Sequence, residues 1–163
     1  MSKSSLLQLH QEPVRPEWID HNGHMNVAYY LMAFDHVTDR FLAHIGMDPT
    51  YRKQHHASSF TLETHLTFDQ EVFENDPLMF TTQLVDFDSK RVHYLHSMYH
   101  AEKNYLAATN EVITMHIDQR ARKSSAFGKS VLDQLENIWQ THAALDLPTQ
   151  AGRVIGVKAS RRE

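Results

Sequence analysis

Between Val27 and Ile45 the apolar residues Tyr30, Phe34, Val37, Phe41 and Ile45 recur at steps of three and four, with Asp35, His36, Asp39 and Arg40 between them. That period marks one face of an α-helix of about five turns. Gly46 supplies a left-handed stop, and Pro49 lies just beyond. The early part of the segment, VAYYLMAF, is apolar nearly all round, which predicts a helix buried on most sides. Further on the period changes to two: Phe60, Leu62, Leu66 and Phe68 alternate with Thr61, Glu63, His65, Thr67 and Asp69, the mark of a strand. PLMFTTQLVDF (77–87), RVHYLHSMYHA (91–101) and YLAATNEVITMHID (105–118) are rich in β-branched and aromatic residues. The turns DSK (88–90) and EKN (102–104) are too short for parallel crossovers, so an antiparallel meander is expected. An extended stretch over 8–16, closed by Pro13 and Pro16, precedes the long helix. A second helix from about Lys129 to Leu145 puts Val131, Leu135, Ile138, His142 and Leu145 on one face.

A sheet can bury one helix on most sides only by curling about it. The pattern therefore predicts an α+β hotdog fold: an antiparallel sheet wrapped around a long central helix, plus a C-terminal helix. The uncovered sheet face and edge call for a second copy, so a homo-oligomer, dimer or tetramer, is expected. At 163 residues the chain fits one domain spanning 1–163, with a basic tail over 152–163.

Composition narrows the chemistry. A net charge of -4 gives no reason to expect nucleic acid as partner. The absence of Cys excludes disulfides, thiolate nucleophiles and Cys-ligated zinc. No apolar run is long enough for a membrane span, and the start, MSKSSLLQLH, lacks a signal-peptide core, so a cytoplasmic protein with no membrane partner is expected. His93, His96, His100, His116 and the pair His55-His56 do not follow a metal-binding spacing, and on a strand His93 faces opposite to His96 and His100. No metal and no cofactor are expected, and these histidines are read as interface or exposed residues.

The chemistry concentrates in DHNGHMN, residues 20–26, immediately before the long helix. Helix capping explains one of these side chains, since Asn and Asp are preferred N-caps and Gly23 suits a turn. One cap needs one side chain, so the rest point further. The first amides of a helix are unpaired and carry partial positive charge, which suits a developing oxyanion. A carboxylate at Asp20 beside such a site can attack a carbonyl or activate a water. Asn22 and His24 can orient that water or polarise the carbonyl. Gly23 and Asn26, at the helix start, are expected to meet the substrate, Gly23 by letting it approach the backbone. Glu63, on the non-core face of its strand beside His65, is a second catalytic acid if it faces a partner subunit, and otherwise a solvated cross-strand residue.

DHNGHMNVAYYL resembles the D-x-N-x-H-[VM]-N…Y signature of hotdog thioesterases. Asp20, Asn22 and His24 match the catalytic positions of plant acyl-carrier-protein thioesterases, and the Asp20-to-Gly23 spacing matches bacterial 4-hydroxybenzoyl-CoA thioesterases. Where that superfamily often has Gly-Asp before the third strand, this chain has Asn75-Asp76. VRPEWIDHNGHMN, FTLETHL, DSKRVHYLHSMYHAE, LAATNEVITMHID and GRVIG resemble betainyl-CoA thioesterases over roughly residues 12–156. The resemblance implies hydrolysis of an acyl-CoA thioester to acid and CoA. A betaine acyl group carries a quaternary ammonium, which aromatic faces can hold; Trp18 is the first candidate, with Tyr29 and Tyr30 next. Arg120, Arg122 and Lys123 are candidates for the CoA phosphates. The alternatives are a thioesterase for another short or aromatic acyl-CoA, a hotdog hydratase, and a non-catalytic acyl-CoA binder.

Overall fold

The computed structural model describes residues 5–157. The chain runs β1 (Leu7–Pro13), a short 3-10 turn (Pro16–Trp18), α1 (Val27–His44), α2 (Pro49–His55), β2 (Ala57–Phe68), β3 (Pro77–Phe87), β4 (Arg91–His100), β5 (Leu106–Asp118), β6 (Lys123–Ser124) and α3 (Lys129–His142). The strands form one antiparallel sheet in the order β1-β3-β4-β5-β2, with β6 paired to the end of β5.

The expected antiparallel meander is formed by β3, β4 and β5. β3, β4 and β5 are joined by the two short turns, but β2 does not pair with β3; it lies antiparallel to β5 at the far edge. The connection over 69–76 carries the chain back across the start of α1. Met25 N–H donates to the Val72 carbonyl at 2.9 Å, and Val72 is fully buried. Asn75 takes the left-handed conformation (φ 63°), which Asn tolerates in a turn.

β2 also departs from simple alternation. A bulge between Thr61 and Glu63 inserts Leu62 into the ladder. One extra residue reverses which side chains face which side. Phe68 reaches the Tyr30 ring on the α1 side, whereas Phe60 sits with Met115 and Ile117 in a cleft on the other face.

α1 lies on the sheet through Tyr30, Ala33, Phe34, Val37 and Phe41, all buried. The sheet does not enclose it as fully as the apolar run predicts. Val27, Leu31 and Met32 remain 61%, 42% and 45% exposed, and Leu31 and Met32 line a cleft of about 480 Å³ with Thr61, Thr64, Asn110 and Val112. α2 was not legible in the sequence. Asp48 caps it by accepting from Tyr51 N–H at 2.8 Å, and Pro49 occupies its first turn, where a missing N–H costs nothing. α3 buries Val131, Leu135, Ile138 and His142 against the C-terminal half of α1 and the strands beneath it. It ends at His142, three residues short of the expected Leu145.

The histidines differ from expectation as well. His96 and His100 are buried inside the chain rather than placed at an interface. His100 Nδ1 faces the Glu102 and Lys103 amides at 3.3 and 3.2 Å and so fixes the β4–β5 turn. His116 is buried between Tyr51 and Ser125. His93 pairs with Glu111 at 2.9 Å on the opposite face, as the strand parity predicts. Among the described residues, no helix is long and apolar enough to cross a membrane.

Candidate active site

The DHNGHMN stretch folds as a closed turn. Ile19 and Met25 form an isolated antiparallel bridge, Asp20 N–H donates to the His24 carbonyl at 3.1 Å, and Gly23 N–H donates to the Asp20 carbonyl at 3.0 Å. Asn26 N–H donates to the Trp18 carbonyl at 2.9 Å, tying the far end to the segment before the turn. Gly23 takes φ 84°, a left-handed conformation that L side chains disfavour, and open space lies where a Cβ would point.

The cap belongs to Asn26. Its Oδ1 accepts from Ala28 N–H at 3.0 Å, and its carbonyl accepts from Tyr29 N–H at 3.0 Å. Val27 N–H is left as a first-turn donor with no acceptor in the chain among the described residues. Asn26→Ala is expected to lower stability by about 1 kcal/mol, read as a shift in the urea midpoint at unchanged slope. An unchanged midpoint would show that the cap carries no stability.

Asp20 Oδ1 accepts from Asn22 N–H at 2.8 Å, an Asx turn that fixes the carboxylate over the turn. Its other oxygen has no partner among the described residues. Asp20, His24, Met25, Asn26, Val27 and Tyr30 share one cleft of about 370 Å³ with Phe68, Asp69, Gln70 and Glu71. Tyr30 meets Phe68 edge to face, centroids 5.1 Å apart at 87°. Burial pushes the Tyr30 phenol up, against an opposing hydrogen bond with the Val72 backbone.

Five sequence-predicted residues lie outside this cleft, Gly23 of the turn among them. Asn22 is exposed and does not line it. Trp18 is 1% exposed; Tyr29 stacks on it at 5.9 Å and the Arg15 guanidinium lies 5.0 Å from its ring centroid. With its faces so covered, Trp18 is a packing residue here and not a free wall of a cation cage, and Tyr29 is committed to the same stack. Glu63 stands on the sheet face away from α1, in a separate cleft with His65, His93, Glu111 and Gly152–Val154. There Gly152 N–H donates to Glu111 at 2.7 Å and lays the tail on the sheet. Lys158, Arg161 and Arg162 of the tail lie outside the described residues. Arg122 and Lys123 rim the cleft of about 570 Å³ that holds Phe60, Met115 and Ile117.

Sequence reasoning missed Phe68, Asp69, Gln70 and Glu71. They sit in the crossing connection, and only the knowledge that β2 ends beside the start of α1 brings them to the site.

A long helix laid on a curled antiparallel sheet, with a carboxylate-bearing turn opening into a cleft at its N-terminus, defines a hotdog thioesterase. The chain belongs to the thioesterase-like superfamily, whose family model matches residues 14–135. It is similar to a betainyl-CoA thioesterase of Pseudomonas aeruginosa, 39% identical over 97% of this chain and 99% of that one. It is 36% identical to an L-carnitine dehydrogenase/betainyl-CoA thioesterase of a Rhizobium species over 93% of this chain, which spans 30% of that longer protein. Among solved structures it resembles the protein SAV2348 of Staphylococcus aureus, determined in complex with CoA, at 34% identity and a TM-score of 0.86, covering 93% of this chain and 96% of that one. The chain is accordingly a thioesterase, a hydrolase of acyl-CoA thioesters.

Proposed function

We propose that the acyl-CoA this thioesterase cleaves is betainyl-CoA, with Asp20 as base or nucleophile. One observation carries the reading: Asp20, anchored through one oxygen, shares a cleft with the uncapped Val27 amide at the positive end of α1. As base, Asp20 takes a proton from a water as that water attacks the thioester carbon. Val27 N–H donates to the oxyanion, and collapse expels the CoA thiolate and leaves the free acid. As nucleophile, Asp20 itself attacks that carbon and expels the CoA thiolate, and water then cleaves the resulting anhydride, which releases the acid and restores the Asp20 carboxylate. His24, half-buried on the cleft wall, is the polar group beside the water or the thioester oxygen. Arg122 and Lys123 are the basic groups offered to the phosphates.

The cleft also favours a cationic acyl group. A quaternary ammonium has no proton to donate, so it is held by aromatic faces and negative charge. Tyr30 and Phe68 supply the rings, and Asp69 and Glu71 stand beside them. These replace Trp18 and Tyr29 in the role first expected for them. The test compares betainyl-CoA with its neutral carbon isostere, 3,3-dimethylbutanoyl-CoA. The parent should prefer the cation in kcat/KM by roughly tenfold or more, and Glu71→Gln should narrow that ratio. Equal kcat/KM for the two would sink the betaine reading and leave a thioesterase for another short acyl group.

We also propose a homo-oligomer built on β2 and the bare side of α1. Among the described residues β2 has a neighbour on one side only, and Leu31 and Met32 face the adjoining cleft. An open twelve-residue edge beside exposed apolar side chains is a surface that soluble proteins cover. Leu31→Asp should shift the parent to monomer by size-exclusion chromatography with light scattering; an unchanged mass would move the interface elsewhere.

A further inference from the structure

Away from the catalytic cleft, β1 and α1 bring His10, Glu12 and His36 together. One nitrogen of each imidazole and one carboxylate oxygen all lie within 4.8 Å of one another. Both histidines aim at the same atom: His36 Nδ1 is 2.8 Å and His10 Nε2 is 3.2 Å from Glu12 Oε1. Arg15 approaches the other oxygen, Oε2, at 3.4 Å, so it neutralises the carboxylate without blocking the shared position.

The hydrogen-bond pattern leaves a gap. Among the described residues, the buried His10 Nε2 has no hydrogen-bond partner, because its approach to Glu12 has an ion-pair distance without hydrogen-bond geometry. A buried, unpartnered ring nitrogen calls for a water or an ion. The spacing suits an ion. Ligands of a tetrahedral zinc at bonds of about 2.0–2.1 Å stand roughly 3.3 Å apart, close to the two short separations here. The group faces a cleft of about 440 Å³ shared with Asp39 and Arg52, which gives an ion a path in and room for a water as fourth ligand.

We propose that His10, Glu12 and His36 bind a divalent transition metal, zinc by the chemistry of its donors, as a clamp between β1 and α1. Two imidazoles and a carboxylate suit such an ion better than magnesium or calcium, which favour oxygen ligands. The site requires neither Asp20 nor any residue of its cleft. Its position ties it to the fold around them: the His36 ring lies 6.3 Å from Trp18, which stacks on Tyr29 in the first turn of α1. The sequence hides the set, since His10 and Glu12 stand on one strand and His36 lies twenty-four residues past Glu12 on a helix.

The test is metal titration of the tag-free full chain, stripped with chelator, using Zn(II) in competition with a chromophoric chelator and Co(II) for its visible spectrum. One ion per chain should bind, with the intense Co(II) bands of a tetrahedral site, and raise the melting temperature. Glu12→Gln, His10→Ala and His36→Ala should each weaken binding by well over about tenfold, the loss expected from disturbing even an outer partner of a ligand. Circular dichroism reports whether each variant folds. The unsubstituted chain decides by itself if a variant does not: no stoichiometric ion would mean that water fills the gap, and the proposal falls. Tight binding that survives all three substitutions would also overturn it by placing the ion on other histidines.

Discussion

Asp20→Asn should reduce kcat for acyl-CoA hydrolysis by about 10²–10⁴-fold, the range associated with losing a positioned proton acceptor, while KM and melting temperature stay close to the parent's. The structure separates the two roles of this side chain. Oδ1 accepts from Asn22 N–H, and an Asn amide oxygen can accept the same bond, so the turn over 20–26 is retained. What Asn cannot do is take a proton from water or form an acyl anhydride. Asn22→Ala provides the contrast. Asn22 is exposed and outside the cleft, and the bond to Asp20 uses its backbone, so activity should fall by less than about threefold. If Asp20→Asn stays within a few-fold of the parent in thiol release, Asp20 serves only the turn and another group performs the hydrolysis. If Asn22→Ala is as damaging as Asp20→Asn, the Asn22 side chain reaches the substrate in a geometry that the free chain does not hold.

The contrast between these neighbours shows what the sequence makes legible. DHNGHMN before an apolar run announces a helix start with more polar groups than a cap requires, and the structure assigns the cap to Asn26 and places Asp20 and His24 in the cleft. The periods of three to four and of two locate α1, α3 and the strands, because burial on one face repeats along each element. What periodicity does not carry is pairing between distant segments. β2 pairs with β5 rather than with β3, its successor in the chain, and this crossing is what delivers Phe68 and Glu71 to the start of α1. A single bulge at Leu62 is equally silent in the sequence, although it decides which face Phe60 meets. Trp18 illustrates the converse error. Two residues before Asp20 it looks placed for substrate, but an aromatic beside a site fills core as readily as pocket, and Tyr29 and Arg15 cover it.

Acid should destabilise the fold well above the range in which carboxylates titrate, and His96 is the main reason. Its ring is fully buried under α1, stacked on Phe34 with 9° between the planes and 4.9 Å from the Tyr94 ring. Thr82 and Thr38 hydroxyls lie 2.8 and 3.2 Å from its two nitrogens, which suits a neutral imidazole: one nitrogen donates and the other accepts. Burial pushes its pKa from 6.5 down to about 3. The unfolded chain therefore binds a proton below pH 6.5 that the native chain refuses until about pH 3, and stability falls as pH falls through that window. The slope approaches about 1.4 kcal/mol per pH unit, or roughly 2 kcal/mol between pH 6.5 and 5. His116 and His142 are also shifted down by burial, partly opposed by the Ser125 and Ser5 backbones, and act in the same direction. Urea unfolding at pH 7.5, 6.5, 5.5 and 5.0 measures the slope, and His96→Gln should flatten it even though the variant starts from lower stability. Equal slopes for parent and variant would mean that His96 takes up its proton alike in the native and unfolded chains. The same comparison bears on catalysis. Since α1 carries the Asp20 turn at one end and rests on His96 near its middle, activity lost on acidification should track unfolding. Activity lost while the chain remains folded would instead report titration within the cleft.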